Sequence, residues 1–523
     1  MDKRSVTQLL VVSLLVFLLS LFLTQTVEAV LMYFKLSGSL IEGGDANSMA
    51  LSPDGKRVLF LADAYQDGVI ELFSVPASGG KRIMLSQGST TAVQVSRFLI
   101  TPDSQYVIYV RNIISTGIDI GVYIVPIDGG VPRELHDPMP AFARFLGMEI
   151  SADSQHLVYV IDTDPYQVLW KVALAGGDPE AIAGGEMDVD DNEIIFKIAP
   201  QGKHVIYYHK SIFPTLNRAT LVGSEGDLTY IAGEARIFDI TPDESSVVYL
   251  LETSAPRRLY AVPFGGGMPD ELNESLLGAG TVQSFIISPD SQYVVYRADE
   301  IGVGKFELLS IRLDYVSHRT ILNGPIVDGG NVFMYQITPN SQGVVFIADR
   351  MTPDLRELWS VPITGGANYN LSKTMVAGGQ VNNFSITPNN SGVVFTATKL
   401  ALGTSELFAT DIFGTHEPWR LNTPLAGFAD VGTFIIAPNS TFVAFSADTL
   451  FDGEYNLSIV PVLGGSSPIR INPPLVAGGR VGPFVISPDS KGVIYQAEQD
   501  TDEVYEIYSV FDRFLINLPM IVR

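Results

Sequence analysis

The sequence predicts an all-β chain: a β-propeller of ten four-stranded blade repeats closed into one ring, with two smaller propellers as the alternative. Three observations predict it. A unit of about 49 residues recurs without linkers; each copy reads as short alternating strands between turn residues at fixed offsets; and nothing beyond the first thirty residues sustains a helical period.

The repeat is plainest where VAGGQVNNFSITPNNSGVVF (376–395) returns one hundred residues later as VAGGRVGPFVISPDSKGVIY (476–495). At the centre of each unit an apolar strand ends in Ser or Thr, followed by Pro, Asp or Asn, and a strand rich in Val, Tyr and Phe. The prolines are Pro53, Pro102, Pro200, Pro242, Pro289, Pro339, Pro388, Pro438 and Pro488, with Ala152 in the remaining place. Successive spacings are 49, 50, 48, 42, 47, 50, 49, 50 and 50 residues, so only the fourth unit is irregular. In the eighth unit, strand A is NFSIT, the turn PNNSG, strand B VVFTAT and strand C SELFATDI, and strand D lies near PWRLN. The C-to-D connections read VPITGG, VPASGG, VPIDGG or VPVLGG. Four antiparallel strands per repeat, with no helix, make a propeller blade.

Composition agrees. Length alone would suggest several domains, but an unbroken repeat array of 523 residues overrides that prior. The chain is 46% apolar and 17% charged, enough for a large core, and its 48 Gly and 31 Pro suit many turns. A net charge of −24 excludes nucleic acid and docking on anionic lipid, and leaves cations or a basic protein as partners. There is no Cys, hence no disulfide and no thiol chemistry.

The first residues read as a targeting segment. Lys3 and Arg4 precede an uncharged run, Leu9 to Leu23, and Val27 and Ala29 stand in small-residue cleavage positions. Residues 1–29 are expected to be a signal peptide, with an uncleaved anchor over 9–30 as the alternative, and 30–523 the propeller. The expected location is therefore exported: periplasmic, cell-surface or secreted. The segment 33–53 aligns without gaps to 368–388, so the mature chain begins with a D strand before its first A strand. That strand is expected to complete the last blade and remove the open edges. RFLINL (513–518) competes for the same slot.

ISPDSQYVVYRADE (287–300) and ELWSVPITGG (357–366) resemble the TolB-like β-propeller family, and the resemblance extends over nearly all of the mature chain. It implies the propeller fold. TolB itself pairs an α/β domain with a six-bladed ring, which this repeat count does not match, so its role in the Tol–Pal system is not implied. Members of the family also form the propeller of prolyl-oligopeptidase-like enzymes.

The Asp of the turn (Asp54, Asp103, Asp153, Asp243, Asp290, Asp489) reads as a backbone-bonding turn residue, because Asn340, Asn389 and Asn439 replace it and cannot serve as acids or bases. The B–C and D–A connections lie on one face of the disc and gather acid there. Asp63, Asp67, Asp349, Asp354, Asp448, Asp452, Glu498, Asp500 and Asp502 make a candidate binding face for a protein or peptide, in particular a basic one. Asp188, Asp190, Asp191 and Glu193, in GGEMDVDDNE, form the strongest candidate for Ca²⁺, although the spacing is not an EF-hand. A solvated acidic rim is the simpler reading of both sets. No other cofactor is expected.

No G-x-S-x-G elbow, H-E-x-x-H, P-loop or dinucleotide fingerprint is present, and no catalytic residue is assigned. Trp170, Trp359 and Trp419 read as blade packing. The expected function is a non-enzymatic exported propeller that binds or scaffolds proteins in the cell envelope or extracellular space. The alternatives are a hydrolase or lactonase-like propeller with a channel site, and an accessory subunit of a separate peptidase.

Overall fold

The computed structural model describes residues 31–511, apart from 87, 137–138, 141, 163–166, 186–194, 210–213, 223–228, 253–255, 274–279, 426–428 and 449–452. The signal-peptide segment, the competing tail strand, the Ca²⁺ candidates Asp188, Asp190, Asp191 and Glu193, and Asp452 all lie outside the described residues.

Forty strands form ten four-stranded antiparallel sheets arranged in one ring, each a blade with strand order A-B-C-D. Blade 1 has A Ala46–Leu51, B Arg57–Ala62, C Glu71–Pro76 and D Ile83–Met84. The irregular fourth unit is a complete blade, although its A strand, Phe196–Ile198, is only three residues long.

The ring closes as the alignment of its ends predicts. Met32–Lys35 pairs antiparallel with Glu506–Phe511, strand C of blade 10, and so becomes the outer strand of the last blade. The chain ends reproduce the bonds made inside other blades. In blades 1 and 5 to 9 a Ser or Asn after the D strand accepts an amide near the start of strand C: Asn422 from Leu407 at 2.7 Å, Asn472 from Leu457 at 2.8 Å. Ser37 accepts from Ile507 at 3.3 Å, across 470 residues of chain. Lys35 adds charge to this joint, bonding Asp500 at 2.8 Å and Glu506 at 2.5 Å. Glu506 is buried, so Lys35 answers a carboxylate that water does not.

No blade has a core of its own. The B and C strands are buried on both faces, and the apolar residues gather into ten clusters, one at each blade interface. The cluster between blades 10 and 1 joins Ile494 and Ile507 to Phe60 and Phe73. A ring cut in two would leave interfaces unfilled, so the two-propeller alternative does not hold. Trp359 is buried in the cluster of blades 6 and 7, as expected for packing.

The Pro-Asp turns carry a second cohesive device. Within a turn, Asp54 accepts Ser52 Oγ at 2.7 Å and the Lys56 amide at 3.1 Å. Burial opposes ionisation of Asp54, but these bonds and Lys56 outweigh it and hold the carboxyl below its ordinary range. The Asp54 amide then donates to Ser104 Oγ in the next blade at 3.1 Å. The same interblade bond joins 103 to Ser154, 201 to Glu244, 243 to Ser291, 290 to Ser341, 340 to Asn390, 389 to Ser440 and 439 to Ser490. Each accepting residue has φ near +60°, which aims its side chain back at the preceding blade. Two interfaces lack this bond because Gly55 and Gly202 occupy the accepting place. Gly55 stands at the closure, where the outer strand compensates. Gly202 stands between blades 3 and 4, where the cluster has eight buried residues among those described, against fourteen between blades 9 and 10.

Closure through Lys35 predicts that Lys35→Met in the whole chain lowers unfolding free energy by roughly 2 kcal/mol, since it leaves the buried Glu506 carboxylate without its cation and with only the Tyr508 hydroxyl beside it. Urea unfolding at neutral pH measures it. An unchanged midpoint would mean that the strand pairing alone closes the ring.

Candidate functional site

Propellers act through the loops they hold rigid, and the B–C and D–A loops on one face are the candidates here. The geometry divides their acidic residues into two kinds. The first acidic residue of the B–C loop faces inward and accepts the amide of a D–A residue 18 positions earlier in the same blade. Asp63 accepts from Asp45 at 2.6 Å and Glu498 from Arg480 at 3.2 Å; Asp299, Asp349 and Asp448 accept from Thr281, Asn331 and Asp430. In blade 8, Thr398 does the same for Gln380 at 2.8 Å. Asp349, Asp448 and Glu498 are buried, and Asp63 is half-buried.

The D–A residue passes the connection on. Its side chain accepts an amide from the end of the preceding blade's B–C loop: Asn331 from Phe306 at 2.9 Å, Asp430 from Ser405 at 2.5 Å, Asp45 from Tyr505 at 2.8 Å. This second belt explains the repeated VAGG. A Cβ on Gly379 or Gly479 would collide with the carbonyl oxygen of Thr398 or Glu498, so only glycine lets the loops approach closely enough to bond.

Asp67, Asp354, Asp500 and Asp502 are of the second kind, exposed at the loop tips. Asp500 is spent on Lys35 at the closure; Asp67, Asp502 and Glu503 add to an acidic arc over blades 10 and 1. Over blades 6 to 8 the tips are aliphatic instead: Ile301, Val303, Met351, Leu400 and Leu402 are 41–64% exposed. The face therefore has an acidic arc and an apolar arc. Sequence pattern alone missed the apolar one; its signal was the trio EIGV (300–303), RMTP (350–353) and KLAL (399–402) at one offset in successive repeats.

At the foot of these loops stands the glutamate that opens strand C. Glu307 and Glu357 are buried, and burial pushes both carboxyls above the ordinary range despite opposing help from nearby Lys, Arg and Asn side chains. Asn370 donates to one oxygen of Glu357 at 2.7 Å, and the other has no hydrogen-bond partner.

The A strands face the centre of the ring, where blades converge closely enough for side chains to bridge them. Arg97 donates to the Phe145 carbonyl at 2.6 Å, Glu149 accepts the Ile198 amide at 2.9 Å, and Lys197 pairs with Asp239 at 2.8 Å. These charged A-strand positions, confined to blades 2 to 5, were also missed; each is engaged with a neighbouring blade. Among the described residues no three His, Asp or Glu side chains are arranged to hold a metal.

No family model matches the chain, and no curated protein matches it. Among solved structures it is similar to a prolyl endopeptidase, from a structural and mechanistic analysis of two such enzymes and the role of inter-domain dynamics in catalysis and specificity. The identity is 12%, over 89% of this chain and 55% of that one, with a TM-score of 0.40. The chain thus spans little more than half of that protein's length, and nothing about its own ligand or reaction follows.

Two expectations come from the site. Asp349→Ala, which frees a buried amide, lowers stability by about 1.5–3 kcal/mol, whereas Asp354→Ala at the exposed tip stays within about 0.5 kcal/mol; paired denaturant titrations separate them. Glu357→Gln raises the melting temperature at pH 7.5. A carboxyl whose folded pKa is raised costs stability when ionised, and that cost fades as pH falls through the folded value toward the ordinary 4.5. The gain over wild type should shrink in the same window, and a pH-independent gain would assign the effect to packing.

Proposed function

We propose that the chain is an exported, TolB-like β-propeller that serves as a non-enzymatic docking scaffold for a protein in the cell envelope or extracellular space, after removal of residues 1–29. The observation that carries this reading is the face just described. Its loop bases are tied by hydrogen bonds within blades 1 and 6 to 10, and between several of them, while its tips hold exposed aliphatic side chains and unspent carboxylates. Rigid loops lose little entropy on binding, and mixed apolar and charged tips suit a protein surface. The export reading rests on the N-terminal sequence, and the family reading on the Ser/Thr-Pro-Asp repeats.

The test is capture with immobilised 30–523 from envelope and secreted fractions, comparing wild type with Asp67→Lys/Asp502→Lys and with Met268→Glu on the opposite face. A partner retained by wild type and Met268→Glu but lost by the charge-reversed variant is the expected outcome. Equal capture by all three would place docking elsewhere on the disc.

A further inference from the structure

The apolar arc invites a more specific assignment, which rests on the docking reading above. We propose that the B–C loops of blades 6 to 8 take an amphipathic, basic segment of a partner protein: a helix with an aliphatic stripe flanked by Lys and Arg.

Ile301, Val303, Met351, Leu400 and Leu402 stand on three consecutive loops, and adjacent exposed aliphatics on one face form a patch with a use. The patch is preformed. Asp299, Asp349 and Thr398 fix its loop bases, and Leu402 lies against the Gly378 backbone, 3.7 Å from where a Cβ would be. At the tips, Gly304 and Gly403 have nothing within 4 Å of a Cβ position, so none of the described residues covers them. Met351, unbranched and polarisable, adapts to an irregular apolar stripe.

Charge selects the partner. The cations of these three loops are turned inward. Lys305 Nζ donates to the Ile326 carbonyl at 2.9 Å, Arg350 to that of Pro325 at 3.2 Å, and Lys399 to that of Ser372 at 2.7 Å. Asp328 and Asp354 face outward, with Arg356 the exposed exception, its guanidinium 4.1 Å over Phe333. Further round the ring lies the acidic arc of Asp67, Asp502 and Glu503. A second copy of the chain would bring another net charge of −24 against this face, and an anionic membrane would be repelled. An apolar stripe with basic flanks satisfies both arcs. Helix-in-groove recognition reads such stripes at i, i+3, i+4 and i+7.

The experiment titrates whole 30–523 into a fluorescein-labelled synthetic 18-residue Leu/Lys amphipathic helix and follows anisotropy. The controls are the same residues scrambled and the Lys-to-Glu version. Met351→Glu/Leu402→Glu should weaken binding of the Leu/Lys helix at least tenfold, Met268→Glu should leave it unchanged, and both controls should bind at least tenfold more weakly than the Leu/Lys helix. The added glutamates give the result its sign: a purely electrostatic association would tighten. Tightening, equal binding of the scrambled peptide, equal loss with Met268→Glu, or no binding overturns the proposal. So does loss of binding to neutral phosphatidylcholine vesicles in the same double variant, which would make the patch a lipid contact. If Asp67→Asn/Asp502→Asn abolishes peptide binding while Met351→Glu/Leu402→Glu does not, the docking face stands and the apolar assignment falls.

Discussion

The molecule depends on one short pairing, four residues at its beginning against the last described strand of the ring. Met32 to Lys35 lie beside Tyr508 to Phe511, and everything between them is held because those two segments meet. The reason is the placement of the core. Apolar side chains gather between blades, so a blade is stable only with a neighbour on each side. A chain of blades with free ends would expose an apolar face at each end. Joining the ends covers both faces with one four-residue strand, Ser37 and the Lys35 bridge.

Hydrogen bonding follows the same logic. A loop crossing between blades leaves amides without strand partners, and buried amides must find acceptors. On one face the acceptors are side chains at left-handed turn positions; on the other they are carboxylates and amides of the D–A and B–C loops. Much of the acid that makes the chain so negative is therefore structural. What remains for recognition is the small set of side chains beyond these belts, which is why the tips differ from blade to blade while their bases repeat.

The repeat, the strand order, the closing strand and the role of the turn aspartate were all legible, because each is a pattern within one copy or an alignment between copies. Asp349 and Asp354 show where legibility ends. They stand five residues apart in one loop and look equivalent as carboxylates, yet one is buried on an amide and the other is in water. The difference is set by Asn331 approaching from the D–A loop of the same blade, a contact that the B–C loop read alone does not reveal. Gly55 and Gly202 were likewise unremarkable residues until the neighbouring turns supplied bonds that they cannot accept. The missing turn bond between blades 3 and 4 had no signal of its own in the spacing, since the short interval of 42 residues runs from Pro200 to Pro242, one interface later.

The direction of the closing pair also has a mechanical meaning. Met32 lies opposite Phe511, so the described chain begins and ends at the same end of the same two strands. Tension applied between the termini would not shear these strands past each other. It would load their bonds one at a time, from Met32 toward Lys35, as a zipper opens, and shift the load to the salt bridge only after the outer pairs had parted. A ring built this way resists heat through ten interfaces at once but yields to a pull through its latch. Its tolerance of tension would depend on which terminus, if either, is tethered.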